Sequence, residues 1–574
     1  MTHTTYRNVP DSRGTNAYHS DPAFAALLSV YMPDELRRLL APHLDRMGAL
    51  AGDKLERLAL LADRHPPTLY LRNRTGAPEE RIEKHPAYQD MEQIAFGDFG
   101  LAAMSHRAGV FGSAAPLPPL AKYGLVYLFV QAEFGLCCPL SMTDSLTRTL
   151  RKYGSAALTA RYLDPLTTQD MDALTQGAMF MTEQAAGSDV GAIDTVAREV
   201  NGEWRLSGEK WFCSNPDAEL AMVLARPDAG GAGTKGLSLF LLPRTLPDGT
   251  RNAYRIVRLK DKMGTRSMAS GEIVLEGAVA YLVGDQGQGF KQMTDMINMS
   301  RLANGVRSAG LMRRSVSEAL FIARHREAFG KRLIDMPLMR RQLAKMLTHA
   351  EQGRSMVFHT ARVLEAADGG DAQMAKVLRI LTPLIKFRTC RDARKVAGDA
   401  MEVRGGCGYI EEWSDARILR DSHLGSIWEG TSNIVALDVA RAAQREGALA
   451  ALDDFLRDLL KQVDPSRVEA LDVLLDGAVG LMQAAAGITS ERLEGEIRRA
   501  ATALYNVTSA VFLTWEAAQL ARTGSPLATD RERLALMVIQ HRLSTVDPLA
   551  PPDTEPLWLA GLLDRAGVDE LRAD

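Results

Sequence analysis

GAMFMTEQAAGSDVGAIDT, residues 177–195, is where the chain changes period. Upstream, from Asp21 to about Leu174, leucine recurs every three or four residues, as in ELRRLLAPHLDRM (35–47) and GDKLERLALLADRH (52–65). That spacing predicts amphipathic helices. RTLRKYGSAALTARYLDPL (148–166) reads as two short helices broken at Gly154, with Pro165 near the second end. Downstream the runs are short and several alternate: TVAREV, EWRLSG, LAMVLARP, LSLFLLP and EIVLEGAVAYLVG. Asn201-Gly202 and Asp248-Gly249 are turn pairs that supply positive φ to hairpins. A compact antiparallel β-domain over 177–288 is expected.

Helical periodicity returns at Gly289. FKQMTDMINMSRLANGVRSAGLMRRSVSEALFIARHREAF (290–329) predicts one long amphipathic helix, and others follow over 338–367, 371–403 and 431–446. Long helices with short links predict a four-helix bundle over 289–446. Residues 447–574 read as an additional helical domain, 21–176 as an N-terminal helical domain, and 1–20 as a polar arm. The fold class is α+β.

At 574 residues the chain needs several cores. Its 46% hydrophobic and 24% charged content suits a soluble globular protein, and a net charge of −3 favours neither nucleic acid nor an acidic membrane as a bulk partner. No apolar run approaches the ~18 residues of a membrane span, and the N-terminus carries no apolar signal region. The five cysteines show no CxxC and the histidines no HExxH, so reduced thiols in a cytoplasmic protein without a metal site are expected. Charge is uneven. Residues 446–574 hold 12 Lys+Arg against 21 Asp+Glu, and 301–345 hold 11 against 3. The basic stretch is either an anion site or a solvated helix face.

Gly231-x-Gly233-x-x-Gly236 matches a dinucleotide fingerprint, but a strand follows it, so the pyrophosphate has no helix N-terminus to meet. It reads as a loop. Five other stretches can carry chemistry. In MTEQAAGSDVGAIDT (181–195) small side chains allow close approach to backbone N–H groups, although a surface loop looks the same. In GEKWFCSN (208–215) Trp211 and Phe212 point to opposite faces of a strand, so at most one is core and the other can cover a flat ring, with Ser214 beside Phe212. HREAFGKRL (325–333) lies in the helical stretch and puts Phe329 one turn from Arg326. EVRGGCGYIEE (402–412) ends a helix in glycines. SIWEGTSNI (426–434) sets Glu429 beside Trp428, which suits a base held against something flat, or an ordinary helix cap.

The order of these stretches resembles the acyl-CoA dehydrogenase family. PRTLPDGTRNAYRIVRLKDKMGTRSMAS, PLMRRQLAKM, SIWEGTSNIVALDVAR and the additional C-terminal helices are similar to its AidB branch, associated with the adaptive response to DNA alkylation. The resemblance implies FAD held between β-domain and bundle, a homotetramer, and an acyl-CoA thioester as substrate, with an electron acceptor that the sequence does not specify. It implies that Met181 and Thr182 contact the flavin, that Phe212 shields one flavin face where the family usually has Trp, and that Ser214 bonds near N5 where threonine is usual. Arg326 and Phe329 match residues that reach the partner subunit's FAD, and Gly405 and Gly406 its pyrophosphate contact. Thr431 and Asn433 bind cofactor, and Ser188 lies near the thioester. Glu429 matches the catalytic base and Arg301 a buried arginine beside it. One subgroup places its base just before that arginine, where this chain has Ser300. Asp335-Met336-Pro337 stands where a cofactor-contacting glutamine is common. An apolar pocket favours the protonated carboxyl and so makes a carboxylate a stronger base near neutral pH; Trp428 and Ile427 are expected to supply that pocket. The expected reaction removes a proton from Cα and a hydride from Cβ. The alternative is an AidB-type flavoprotein that associates with double-stranded DNA, and a third is a scaffold whose acyl channel is closed.

Overall fold

The computed structural model describes residues 9–228, 230–487, 495–544, 549 and 555–568. Residues 9–20 order against the first helices, with Gly14 N donating to Gly52 O and Ala17 N to Gly48 O, both at 3.0 Å. Seven helices follow: α1 (Pro22–Tyr31), α2 (Asp34–Gly52), α3 (Lys54–Arg64), α4 (Pro86–Glu92), α5 (Pro119–Phe129), α6 (Cys137–Tyr153) and α7 (Ala156–Thr167). Gly154 ends α6, and the Ser155 hydroxyl caps α7 by accepting from Leu158 N. The all-helical expectation for 21–176 is corrected by an antiparallel hairpin, β1 (Thr68–Arg72) and β2 (Pro78–Glu83). Its strands are mostly exposed, with only the cross-strand pair Leu69 and Ile82 packed against the core of the β-domain, too short a stripe to mark a half-buried strand in the sequence.

The middle of the chain forms β3 (Gly177–Phe180), β4 (Val196–Val200), β5 (Glu203–Ser214), β6 (Leu220–Pro227), β7 (Ser238–Pro243), β8 (Tyr254–Leu259) and β9 (Ser270–Val283). Asn201 and Gly202, at φ +53° and +82°, close the β4–β5 hairpin. The ring β6–β4–β5–β9–β7–β6 closes into a small barrel, with β3 added on β6 and β8 on β9. Phe180, Leu206, Val223, Phe240, Ile273 and Leu275 are among the side chains filling its separate core. The antiparallel expectation needs one correction, since β3 and β4 both run parallel to β6. Neither strand is joined to β6 by a hairpin: β3 leads through the 181–195 loop to β4, and β4 turns onto β5.

The bundle is α8 (Gly289–His325), α9 (Pro337–Asp368), α10 (Ala372–Arg404) and α12 (Ser432–Arg445), with α11 (Ser414–Gly425) packed on α8 and α10. Asp371 caps α10 by accepting from Gln373 N and Met374 N, and Gly405, at φ +74°, stops it. α8 is not amphipathic as expected. Helices α5, α6, α9, α10 and α11 and strand β7 surround it, and it is buried on nearly every side.

The C-terminal region adds α13 (Ala448–Leu460), α14 (Glu469–Ala486), α15 (Ile497–Arg522), α16 (Leu527–Val538) and α17 (Leu559–Arg565). α15 packs on α9, α10, α12 and α14. Its seam with the bundle encloses a buried ionic network. Asp21 Oδ2 accepts from Arg354 Nη1 at 2.6 Å and lies 3.1 Å from Arg313 Nε. Glu351 pairs with both Arg354 and Arg531. Arg531 Nε donates to Glu516 Oε2 at 2.8 Å, and Tyr31 OH to Glu516 Oε1 at 2.6 Å. Among the described residues no helix is long and apolar enough to cross a membrane.

Candidate functional site

The turn between α11 and α12 carries Glu429. Glu429 has φ +56° and Gly430 φ +102°, so two consecutive residues sit in the left-handed region. That conformation is uncommon outside glycine and persists where surrounding contacts fix it. Lys386 Nζ on α10 donates to Gly430 O at 2.7 Å, and Arg301 Nε lies 3.4 Å from Glu429 O. Arg301 is itself fixed by Asp438, at 2.5 Å, which Arg379 also binds.

The Glu429 carboxylate points onto α8. Ser300 Oγ donates to Oε1, and Asn304 Nδ2 donates to Oε2. The Asn304 carbonyl accepts from Trp428 Nε1 at 2.6 Å, so one buried amide orients both the acid and its neighbouring indole. Trp428 lies parallel to Phe134, with ring centroids 6.0 Å apart. The expectation of a dry pocket built by Trp428 and Ile427 is corrected. Ile427 is 58% exposed, and the groups touching the carboxylate are two hydrogen-bond donors. Donors of this kind stabilise and aim an ionised carboxylate.

The same region gathers the end of β5 and the start of α6. Burial pushes the Cys138 thiol above its usual range, and Arg307, Glu429, Ser214 and Lys262 are the groups that modulate it. Lys262 Nζ donates to Met268 O at 2.6 Å and Ser270 Oγ at 3.1 Å, and burial lowers its pKa to about 8. Met181 and Thr182 are half-buried, and Trp211 N donates to Thr182 O at 2.8 Å. The loop after them is pinned by Glu183, which accepts from buried Lys210 Nζ at 2.6 Å and from Asp194 N at 2.7 Å. Ser188 is exposed on that loop. β5 bulges between Lys210 and Cys213, which both turn inward, so Trp211 and Phe212 stay outside the barrel core and Phe212 is 56% exposed.

The remaining motif residues form a second group. α8 stops at His325, and Glu327–Ala328 pairs with Lys331–Arg332 in a hairpin. Phe329 is not one helical turn from Arg326 but at the hairpin tip, with φ +54° and 97% exposure. Phe329-Gly330 supplies the two left-handed residues such a turn needs. Arg326 Nη1 donates to Arg404 O at 3.0 Å and lies beside Gly405. A Cβ at Gly406 would meet nothing within 4 Å. Thr431 starts α12 without using its hydroxyl as a cap. Asn433 Oδ1 accepts from Arg498 Nη1 at 3.0 Å, and Arg391 Nη1 lies 3.4 Å from Ser432 Oγ. Burial, then Arg498, Arg388 and Arg394, hold the Arg391 guanidinium below its usual range, so several cations crowd this corner.

The positive surplus over 301–345 is not a solvated helix face in its first half. Arg301, Arg307, Arg313 and Arg314 are all buried. Sequence reading passed over Asn304, Arg307 and Lys386. The available signal was Ser300, Asn304 and Arg307, polar residues recurring at one face of an otherwise apolar helix.

Three family models match consecutive parts of the chain: the adaptive response protein AidB N-terminal domain over 8–173, the acyl-CoA dehydrogenase middle domain over 178–278 and the acyl-CoA dehydrogenase C-terminal domain over 287–444. The chain is 32% identical to the putative acyl-CoA dehydrogenase AidB of Escherichia coli over 539 residues, covering 92% of this chain and 93% of that protein. The chain belongs to the acyl-CoA dehydrogenase family. Within it, the AidB-type N-terminal domain and the near full-length likeness place it in the AidB-like branch. Acyl-CoA dehydrogenase family member 11 of Caenorhabditis elegans is 32% identical over 457 residues, 78% of this chain and 73% of that protein. The crystal structure of C. elegans ACDH-11 in complex with C11-CoA superposes with a TM-score of 0.87 at 28% identity, covering 95% of this chain and 94% of that one.

Proposed function

We propose that this protein is an FAD-dependent acyl-CoA dehydrogenase in which Glu429 removes the Cα proton of a thioester substrate. The observation that carries the reading is the aim of the Glu429 carboxylate, fixed by Ser300 and Asn304 of α8. A base that must take a weakly acidic carbon proton gains most from being held in one geometry.

Several features of the chain suit FAD. Phe212, Tyr409 and Phe329 are large aromatics left exposed at motif positions, as a flat apolar partner would need. Gly406 leaves open space beside its backbone, and Arg326, Arg391 and Arg498 put cations near Gly405, Ser432 and Asn433, as a pyrophosphate would need. Met181, Thr182, Phe212 and Ser214 would hold the ring end, and Arg326, Phe329, Gly405, Gly406, Thr431 and Asn433 the nucleotide end. Bound there, FAD supplies the acceptor for the Cβ hydride. Ser188 is assigned to the thioester side, and Arg301 fixes the turn that carries the base. A homotetramer, a cytoplasmic location and the five-part division of the chain at 20, 176, 288 and 446 belong to the same reading.

Anaerobic titration of the flavin-loaded protein with a panel of acyl-CoA thioesters tests it. Bleaching of the visible flavin band by at least one thioester, slowed about 100-fold or more in Glu429→Gln, is the expected result. A protein that takes no flavin, or whose flavin no thioester reduces, overturns the reading. Duplex DNA binding with a steep loss on added salt would then favour the DNA-associated alternative.

A further inference from the structure

Eight arginines of the described residues are buried. Seven face carboxylates: Arg301 faces Asp438, Arg313 and Arg354 face Asp21, Arg314 faces Glu56, Arg404 faces Glu318 and Asp415, Arg417 faces Asp421, and Arg531 faces Glu516. Arg307 is the exception among the described residues. It is fully buried, and its hydrogen bonds go to two neutral acceptors, Ala303 O at 3.2 Å and Ser141 Oγ at 3.1 Å. Its Nη1 is buried with no partner at all. The guanidinium carbon lies 4.8 Å from the Trp428 ring and 5.8 Å from that of Phe134.

A guanidinium stays charged at any pH a protein meets. Burying it beside two aromatic rings and neutral oxygens is unfavourable, and cation–π attraction offsets only part of that. The thiols of Cys137 and Cys138 cannot serve as counter-ions, because burial pushes both upward. Arg307 lies three residues beyond Asn304 on α8, about 4.5 Å along the helix axis. Asn304 is the residue that holds Glu429, and Trp428 touches both. A guanidinium without a direct ion pair therefore sits one short step from the proposed base.

We propose that Arg307 receives an anionic group at the far end of the acyl chain, so that the preferred thioester is that of a short dicarboxylic acid. The proposal rests on the dehydrogenase reading for the position of the thioester, but it concerns recognition and can be read without turnover. A carboxylate meets the planar guanidinium with two parallel hydrogen bonds and supplies the missing charge. A neutral acyl chain of the same length would leave the cation unpaired.

The experiment compares succinyl-, glutaryl- and adipyl-CoA with butyryl-, valeryl- and hexanoyl-CoA in two measurements. One is flavin reduction by the intact holoprotein. The other is binding to the Glu429→Gln holoprotein, followed by perturbation of the flavin spectrum, which needs no chemistry. At least one dicarboxylyl thioester is expected to bind 10-fold or more tightly than its neutral counterpart. Adding Arg307→Leu to Glu429→Gln should erase that preference, and adding Arg307→Lys should retain part of it. The lysine variant and a thermal melt separate lost recognition from lost folding. Equal binding of the two series, or a dicarboxylyl preference that survives Arg307→Leu, overturns the proposal. A preference in binding without flavin reduction leaves the proposal standing and counts against the dehydrogenase reading instead.

Discussion

Ser300 and Glu429 are hydrogen-bonded partners although 129 residues separate them in the chain. The resemblance read from the sequence implies that Ser300 stands where one subgroup of the family carries its base. Here that position serves the acid instead of replacing it. Asn304, one turn along α8, completes the clamp. Converting Glu429 to Gln removes the base and is expected to slow flavin reduction by about 10²–10⁴-fold. Asn304→Asp puts a second carboxylate against the first. Like charges oppose ionisation, so the acid limb of the rate–pH profile should move to higher pH by ~1 unit or more. Stopped-flow reduction across pH checks both.

Gly406 separates cofactor binding from folding. A side chain there meets nothing within 4 Å and the residue has an ordinary φ, so Gly406→Leu should melt within a few degrees of the parent protein. If the open space beside Gly405 and Gly406 receives the FAD pyrophosphate, the same change should raise the FAD dissociation constant at least 10-fold. Flavin titration of the apoprotein, with a thermal melt alongside, distinguishes the two effects.

The residues that were legible in the sequence and those that were not differ in a physical way. Strand alternation after Gly177 was readable because the barrel has one wet face and one core face. The hairpin at 68–83 was not, because exposed strands such as PEERIE carry too short a stripe. Phe329 was misplaced because Phe-Gly closes a hairpin through two left-handed residues, and Phe seldom adopts that conformation. For Arg307, Arg313 and Arg314 the sequence left an anion site and a solvated face both open, because composition counts charge without burial; their burial removes the solvated face. Glu429 stood out through its local words, but its partners Ser300, Asn304 and Lys386 come from other helices and only the fold joins them.

Asp421 should make stability depend on pH. Burial raises its carboxyl to about 7, with Arg417 opposing and Glu133 reinforcing the rise. In the unfolded chain the group ionises near its ordinary value of 3.8. Between these values the folded state holds a proton that the unfolded state has lost. Its stabilising contribution is therefore complete below pH ~4 and is lost as pH rises toward 7, by at most about 4 kcal/mol. Asp421→Asn keeps an oxygen for the Thr265 amide, which donates to Oδ1 at 2.6 Å, and removes the titration. Urea unfolding of both proteins at pH 5 and pH 7.5 should show the parent losing more stability than the variant over that interval. An equal loss would show that Asp421 ionises alike in both states.

The C-terminal helices should be locked to the bundle by charge as well as by packing. Arg531 on α16 joins Glu516 on α15 to Glu351 on α9, and all three are buried. Arg531→Leu would leave Glu516 with Tyr31 and Ser355 as neutral donors and would take one of the cations from Glu351. Removing one partner of a buried pair strands the other charge, so a loss of about 3–5 kcal/mol is expected. The double variant Arg531→Leu/Glu516→Leu removes the stranded carboxylate as well. It should therefore be more stable than Arg531→Leu alone, because an apolar contact of similar size replaces a broken ion pair. Chemical denaturation of the three proteins measures the coupling, and a double variant less stable than the single would show that Glu516 is satisfied without Arg531.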